Sequence, residues 1–134
     1  MTNEFEPFEI REPAIQTIPF VYNSPHSGRC YPSAFLDETR LDDLSIRRSE
    51  DHYVDELFSA APSFGAPLLV AHFPRAYVDV NREPYELDPR MFSEPLPPYA
   101  NSNSARVAGG LGTIPRIVAE NMEIYEGRMP LASA

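Results

Sequence analysis

A single cysteine, Cys30, excludes an internal disulfide framework and a four-cysteine zinc site. Positive charge is also scarce. Eleven Lys and Arg stand against 20 Asp and Glu, a formal charge of −9, and Arg47-Arg48 is the only adjacent basic pair. Nucleic acids and anionic bilayers bind clustered cations, so neither is an expected partner. No apolar run approaches the roughly 20 residues of a membrane span, and the acidic start, Met1 to Glu6, lacks the apolar core of a signal peptide. Internal repeats and heptads are missing too. These absences leave one domain over residues 1–134, in a reducing and cytoplasmic setting.

What is present suits a packed core: 43% of the chain is hydrophobic and 11% aromatic, with 15 prolines marking loops and short elements. After a polar lead-in to Gln16, Ile18–Tyr22 predicts a strand that stops at the turn cluster Asn23-Ser24-Pro25-His26-Ser27-Gly28. A loop beyond a strand's carboxyl end is where α/β proteins place ligands. His26 is therefore a candidate ligand, with a backbone-bonded loop histidine as the structural alternative. Ser24 and Ser27 lack the Gly-x-Ser-x-Gly setting of a nucleophile.

A short helix is expected around Thr39–Leu44. A better-marked one starts at Ser49 as N-cap, with Glu50 and Asp51 in its first turn, and runs through Val54, Leu57, Phe58 and Ala61 to Pro62. Asp51 and Asp55 would share a face, and like charges at that spacing are mildly unfavourable. One of them is expected to have a specific partner: an arginine, another cation or a metal. His52 reads as structural. Pro67–Phe73 is apolar but for His72 and predicts a strand buried on both faces. His72 reads as a satisfied core residue.

Arg75-Ala-Tyr-Val-Asp-Val-Asn-Arg82 alternates and predicts a further strand. Its end would present Asn81 and Arg82 to a carboxylate. A structural reading is also open, in which Asp79 pairs with an arginine and Asn81 starts a turn. Residues 83–104 form a long irregular loop rich in proline, a kind that is often functional. Gly109–Thr113 lacks the Gly-Lys-Ser/Thr of a phosphate loop, and close backbone packing or a flexible lid edge is preferred there. Strand, helix, strand, strand predicts the start of an α/β domain.

Four segments in this order, Asn23-Ser-Pro-His-Ser-Gly28, Glu50-Asp51-x-x-Val54-Asp55, Arg75-x-Tyr-x-Asp79-x-Asn81-Arg82 and Gly110-Leu-Gly-Thr-Ile-Pro-Arg116, resemble the N-formylglutamate amidohydrolase family, from about Pro19 to Tyr125. The resemblance implies a mixed sheet between flanking helices, a carboxypeptidase-like core incomplete in this chain. It also implies zinc-dependent hydrolysis of N-formyl-L-glutamate to L-glutamate and formate, at the end of histidine degradation. His26 and Asp51 would ligate zinc or another divalent metal, with Glu50 the fallback for the second ligand. Arg75 would be catalytic, polarising the amide carbonyl or stabilising the tetrahedral oxyanion, and Asn81 and Arg82 would hold the carboxylate of a small anionic N-acyl amino acid. Family members are about twice as long, so a third ligand and a general base are expected from a missing carboxyl-terminal half. The chain then reads as a fragment, a truncated product or a split subunit. A non-catalytic carboxylate-binding domain and a related N-acyl amino acid deacylase are the alternatives.

Overall fold

The most continuous apolar stretch of the sequence forms the middle strand of a three-stranded sheet. The structure, a computed structural model, describes residues 4–134. In chain order its elements are β1 (Phe8–Arg11), β2 (Tyr22–Ser24), α1 (Ser33–Glu38), α2 (Val54–Leu57), β3 (Leu68–Ala71), α3 (Ala105–Ala108), β4 (Ile117–Ala119) and β5 (Met122–Glu123). Short 3-10 turns lie at Ser45–Ser49, Ala61–Phe64, Pro89–Met91 and Leu131–Ser133. The fold is mixed α/β with short helices. Two units divide the chain: one holds the described residues up to Pro32 with Glu50–Arg75, the other Ser33–Ser49 with Ala76–Ala134.

In the first unit the strand order is β1-β3-β2. β3 pairs antiparallel with β1 (Phe8 opposite Ala71, Ile10 opposite Leu69) and parallel with β2 (Tyr22 opposite Leu68, Ser24 opposite Val70). Leu68 and Val70 pack on Ala61 to form the core of this unit. The expected strand at Ile18–Tyr22 begins four residues later. Pro19 has no N–H for a ladder, Phe20 and Val21 are exposed, and pairing starts where Tyr22 N donates to Pro67 O at 2.9 Å. The expected polar lead-in contains β1.

The helix expected from Ser49 is also cut short. Ser49 closes a 3-10 turn of the second unit, and α2 starts only after Tyr53, whose φ of 61° is left-handed. A tyrosine in that conformation cannot continue a right-handed helix. Glu50 and Asp51 therefore precede the helix instead of forming its first turn.

The second unit carries the antiparallel pair β4–β5 and a core of Leu87, Met91 and Phe92 packed against Ile114, Tyr125 and Met129. α1 occupies Ser33–Glu38, just before the helix expected around Thr39–Leu44. Thr39 leaves the helix because its hydroxyl donates to Ile124 O at 2.7 Å. The strand expected at Arg75–Arg82 is a succession of turns. Asp79 explains the difference. Its Oδ1 accepts from Asn81 N at 3.0 Å, while its own N–H donates to Thr113 O at 2.8 Å. Side-chain to backbone bonding of this kind offers the chain an alternative to a ladder.

The long segment 83–104 is far from featureless. Glu86 and Asp88 are fully buried within it. Asp88 caps the Pro89–Met91 turn through Arg90 N, a position for which Asp followed by Pro is suited. Ser104 caps α3 by accepting from Val107 N at 3.1 Å and donates to Glu86 Oε1 at 2.6 Å. Gly112 runs so close to Glu86 O that a β-carbon would collide with it, and Thr113 N donates to that same oxygen at 2.8 Å. Of the two readings of the glycine run, Gly112 shows close backbone packing.

These buried carboxylates make stability depend on acid. The Ser104 hydroxyl holds Glu86 below its ordinary 4.5, against the opposing effect of burial. For Asp88 burial pushes upward, but Arg90 and Arg116 outweigh it and leave the group below 3.8. A lowered folded-state pKa gives stability that is present above the unfolded value and lost as pH falls through the folded one. Urea midpoints measured downward from pH 5 should therefore fall steeply below about pH 4.5. Asp88→Asn should flatten that decline and lower stability at neutral pH.

Candidate functional site

In the first unit, three of the residues singled out from sequence come together at the end of β2. The strand stops at Ser24, whose hydroxyl meets that of Ser27 at 2.6 Å in a buried pair. The intervening turn carries His26, also buried. Gly28 then lies directly on the backbone beyond β3: a β-carbon there would overlap Phe73 O and the carbonyl of His72, and Cys30 N donates to His72 O at 2.9 Å. Glycine at this position lets the His26 turn rest on the sheet.

Asp51 is fastened to that turn by its backbone, donating from N to His26 O at 2.9 Å. Its carboxylate points the same way. Oδ2 is 3.6 Å from His26 Nδ1, and Oδ1 is 3.9 Å from Arg75 Nη1. Glu50, one residue earlier, faces inward with its side chain only 1% exposed. Tyr31 donates its hydroxyl to Glu50 Oε1 at 2.5 Å, and Oε2 is 3.2 Å from His52 Nδ1. Asp51 thus lies beside His26 and half exposed, and Glu50 is buried against Tyr31 and His52. Glu50 anchors the turn, a role that sequence reasoning missed because its partners, Tyr31 and His52, carry no spacing signal. His72 is turned elsewhere, with Nδ1 at 2.8 Å from Glu6 O and Nε2 at 3.4 Å from Glu9.

The like charges at Asp51 and Asp55 each have a cation. Arg29 Nη2 is 3.3 Å from Asp55 Oδ2 and 3.6 Å from Glu56, and its guanidinium lies 4.9 Å from the centre of the Tyr53 ring. Asp55 Oδ1 is buried with no hydrogen-bond partner.

An imidazole nitrogen and a carboxylate oxygen suit zinc. Two ligands about 2.0–2.2 Å from a tetrahedral ion stand roughly 3.3–3.6 Å apart, so the 3.6 Å between His26 and Asp51 fits two corners of such a site. Among the described residues no group of three or more His, Cys, Asp or Glu could hold a metal. The pair fits as part of a site and does not complete one.

In the second unit, Arg82 is held rigidly. Its Nε donates to Leu111 O and its Nη1 to Asn81 O, both at 2.8 Å, while Nη2 is 3.4 Å from Asp79 Oδ2. The ion pair and turn foreseen as the structural alternative are therefore present. These contacts use three of the five N–H groups of a guanidinium, which leaves its fork geometry compatible with an added carboxylate. Asn81 is exposed beside it.

Arg90 and Arg116 show what a fully engaged arginine pair looks like in the same unit. Both reach Asp88 Oδ2, at 2.9 and 3.0 Å, and Arg116 also meets Glu123 at 2.8 Å. Theirs is a structural network.

Among known families, the model described as N-formylglutamate amidohydrolase (FGase) matches residues 18–134. The crystal structure of N-formylglutamate amidohydrolase from Ralstonia eutropha JMP134 superposes with a TM-score of 0.84 at 34% identity, over 95% of this chain and 44% of that one. This chain thus spans less than half the length of that solved relative. No curated protein matches.

Proposed function

Because the chain belongs to the N-formylglutamate amidohydrolase family, we propose that it is the amino-terminal part of a metal-dependent amidohydrolase with a carboxypeptidase-like core, acting in the cytoplasm. The reaction adds water across the amide of N-formyl-L-glutamate. The C–N bond breaks, the formyl carbon gains the hydroxyl, and the amine leaves with a proton as L-glutamate. The observation that carries this reading is the convergence of His26, Asp51 and Arg75 at one strand end.

His26 and Asp51 would hold the metal, with Glu50 as buttress. Zinc, when bound, supplies Lewis-acid polarisation of the amide carbonyl and a more acidic water. The Arg75 guanidinium, oriented by Asp51, is suited to stabilise the charge that develops on the carbonyl oxygen. Asn81 and Arg82 would grip the substrate carboxylate and orient it. The third ligand and the general base would come from the carboxyl-terminal part of the family fold. A small anionic N-acyl amino acid other than the formyl derivative is the neighbouring substrate reading.

With two metal donors assigned among its described residues, the chain alone should bind substrate without turning it over. Cobalt absorption and zinc calorimetry test the metal site. His26→Ala and Asp51→Ala should each weaken metal binding at least about tenfold, whereas Glu50→Ala should lower the unfolding midpoint more than the metal affinity. Equal metal affinity in wild type and His26→Ala would remove the metal assignment. Hydrolysis of N-formylglutamate is then assayed on the chain extended with the carboxyl-terminal part of the Ralstonia relative. A metal-binding extended protein that leaves N-formylglutamate intact would overturn the substrate.

A further inference from the structure

Arg82 owes its aim to a segment 29 residues further along the chain. Nε donates to Leu111 O at 2.8 Å, and Asp79, which faces Nη2 at 3.4 Å, donates its own N–H to Thr113 O at 2.8 Å. Two carbonyls of one short segment, Leu111 and Thr113, therefore fix both the guanidinium and the carboxylate opposite it. A carbonyl is held in its peptide plane and cannot swing as a side chain does. The aim of Arg82 changes only if segment 110–113 moves.

Glu86 holds that segment in place. Its backbone oxygen accepts from Thr113 N at 2.8 Å and lies against Gly112 with no room for a β-carbon between them. Its buried carboxylate reaches two other places: Oε2 accepts from Glu83 N at 3.2 Å and Oε1 from the Ser104 hydroxyl at 2.6 Å. The Thr113 hydroxyl closes the ring by donating to Glu83 O at 2.6 Å. Glu83 directly follows Arg82, so the ring ties the arginine's own backbone to the segment that receives its side chain. An apolar side chain at position 86 would fill the space without the desolvation cost of a carboxylate. It would accept from neither Glu83 nor Ser104. We propose that Glu86 and Thr113 are positioning residues for the substrate carboxylate, together holding the Leu111 carbonyl where it aims the Arg82 guanidinium. Both act through Arg82, so the inference rests on the reading of that arginine as the carboxylate grip.

Two readouts on the chain itself test it. One is calorimetric titration with N-formyl-L-glutamate. The other is hydrogen exchange of the Arg82 Nε–H by nuclear magnetic resonance, with the signal identified by its loss in Arg82→Lys. Thr113→Val keeps the shape of the side chain but loses the bond to Glu83, whereas Thr113→Ser keeps the bond. In Thr113→Val the Nε–H should exchange about tenfold faster and affinity should fall about tenfold, and Thr113→Ser should restore both. Glu86→Gln, with one acceptor oxygen in place of two, should move both readouts the same way by less. Thr39→Val is the control: it deletes a comparable hydroxyl bond, 2.7 Å to Ile124 O in the same unit, and should leave both readouts unchanged. Thermal unfolding verifies that each variant is folded, and the smaller Thr113→Ala replaces a valine variant that is not. Wild-type exchange in the folded Thr113 variant overturns the proposal. So does faster exchange with unchanged affinity when Arg82→Lys lowers affinity, and so do equal changes in Thr39→Val. Wild-type affinity in Arg82→Lys is a different failure: it removes the carboxylate reading of Arg82, and the positioning role falls with it.

Discussion

Gly28→Ala is expected to destabilise the chain by about 3 kcal/mol, near the upper end of what overpacking costs. The added methyl would meet the Phe73 carbonyl oxygen and the His72 carbonyl, both backbone, which cannot rotate aside as a side chain could. Relief requires lifting the turn from the sheet, and that would break the 2.9 Å bond from Cys30 N to His72 O. The buried Ser24–Ser27 pair would be disturbed with it. Urea denaturation measures the loss. Gly127→Ala is the control, since nothing lies within 4 Å of a β-carbon there, and its effect should stay within about 0.5 kcal/mol. Metal affinity should fall in Gly28→Ala even under conditions where the variant is folded, because the displaced turn carries His26. A Gly28→Ala protein as stable as wild type would mean that the turn does not rest on the sheet as described.

Asp79→Ala should cost about 3–5 kcal/mol, the usual range when one member of a buried ion pair is removed. The carboxylate is 4% exposed and the Arg82 side chain 10%, so solvent does little to screen the charge left behind. The same change also deletes the acceptor for Asn81 N. Asp79→Asn retains an acceptor and should lose less. Two residues in direct contact are not additive, so Asp79→Ala/Arg82→Ala should be more stable than the sum of its single variants implies. Binding of a dicarboxylate provides a separate reading. Arg82→Lys keeps the charge but not the fork, and should lose affinity if the guanidinium grips substrate. A thermodynamic cycle with no coupling between positions 79 and 82 would sink the account of Asp79 as the anchor of that grip.

Part of the fold and the grouping of residues at the candidate site were legible in the sequence, and the reasons differ by residue. The apolar run before Phe73 identified β3 because continuous burial leaves a composition that few other elements share. His26 stood out because turn-forming residues follow a strand there. One of Asp51 and Asp55 was expected to need a partner, and both have one: Asp51 lies at His26 and Arg75, Asp55 at Arg29. The strand expected at Arg75–Arg82 does not form. Alternation reports which side chains could share a face, but Asp79 bonds its own backbone neighbour, and this local bond defeats the ladder. The early start of the helix at Ser49 failed for a backbone reason, the left-handed Tyr53, which composition does not reveal. β1 was hidden by its inverted pattern: Phe-Glu-Ile-Arg alternates, but its flanks are polar and its apolar residues face solvent. Glu50 could not be told from Asp51 by type. Their burial in the fold differs: the Glu50 side chain is 1% exposed and bound by Tyr31, and that of Asp51 is 49% exposed beside His26.

The path of the chain has a consequence for how it can be divided. It passes between its two units after Pro32, after Ser49 and after Arg75. A stop codon after Arg75 would retain the Ser45–Ser49 turn but delete β4, on which that turn packs. A single proteolytic nick after Ser49 would leave neither unit whole on one piece, whereas a nick after Pro32 would divide only the first and one after Arg75 only the second. The units are interleaved along the gene, so duplication, grafting or excision of either one as a continuous cassette is closed off, and the two must be inherited together.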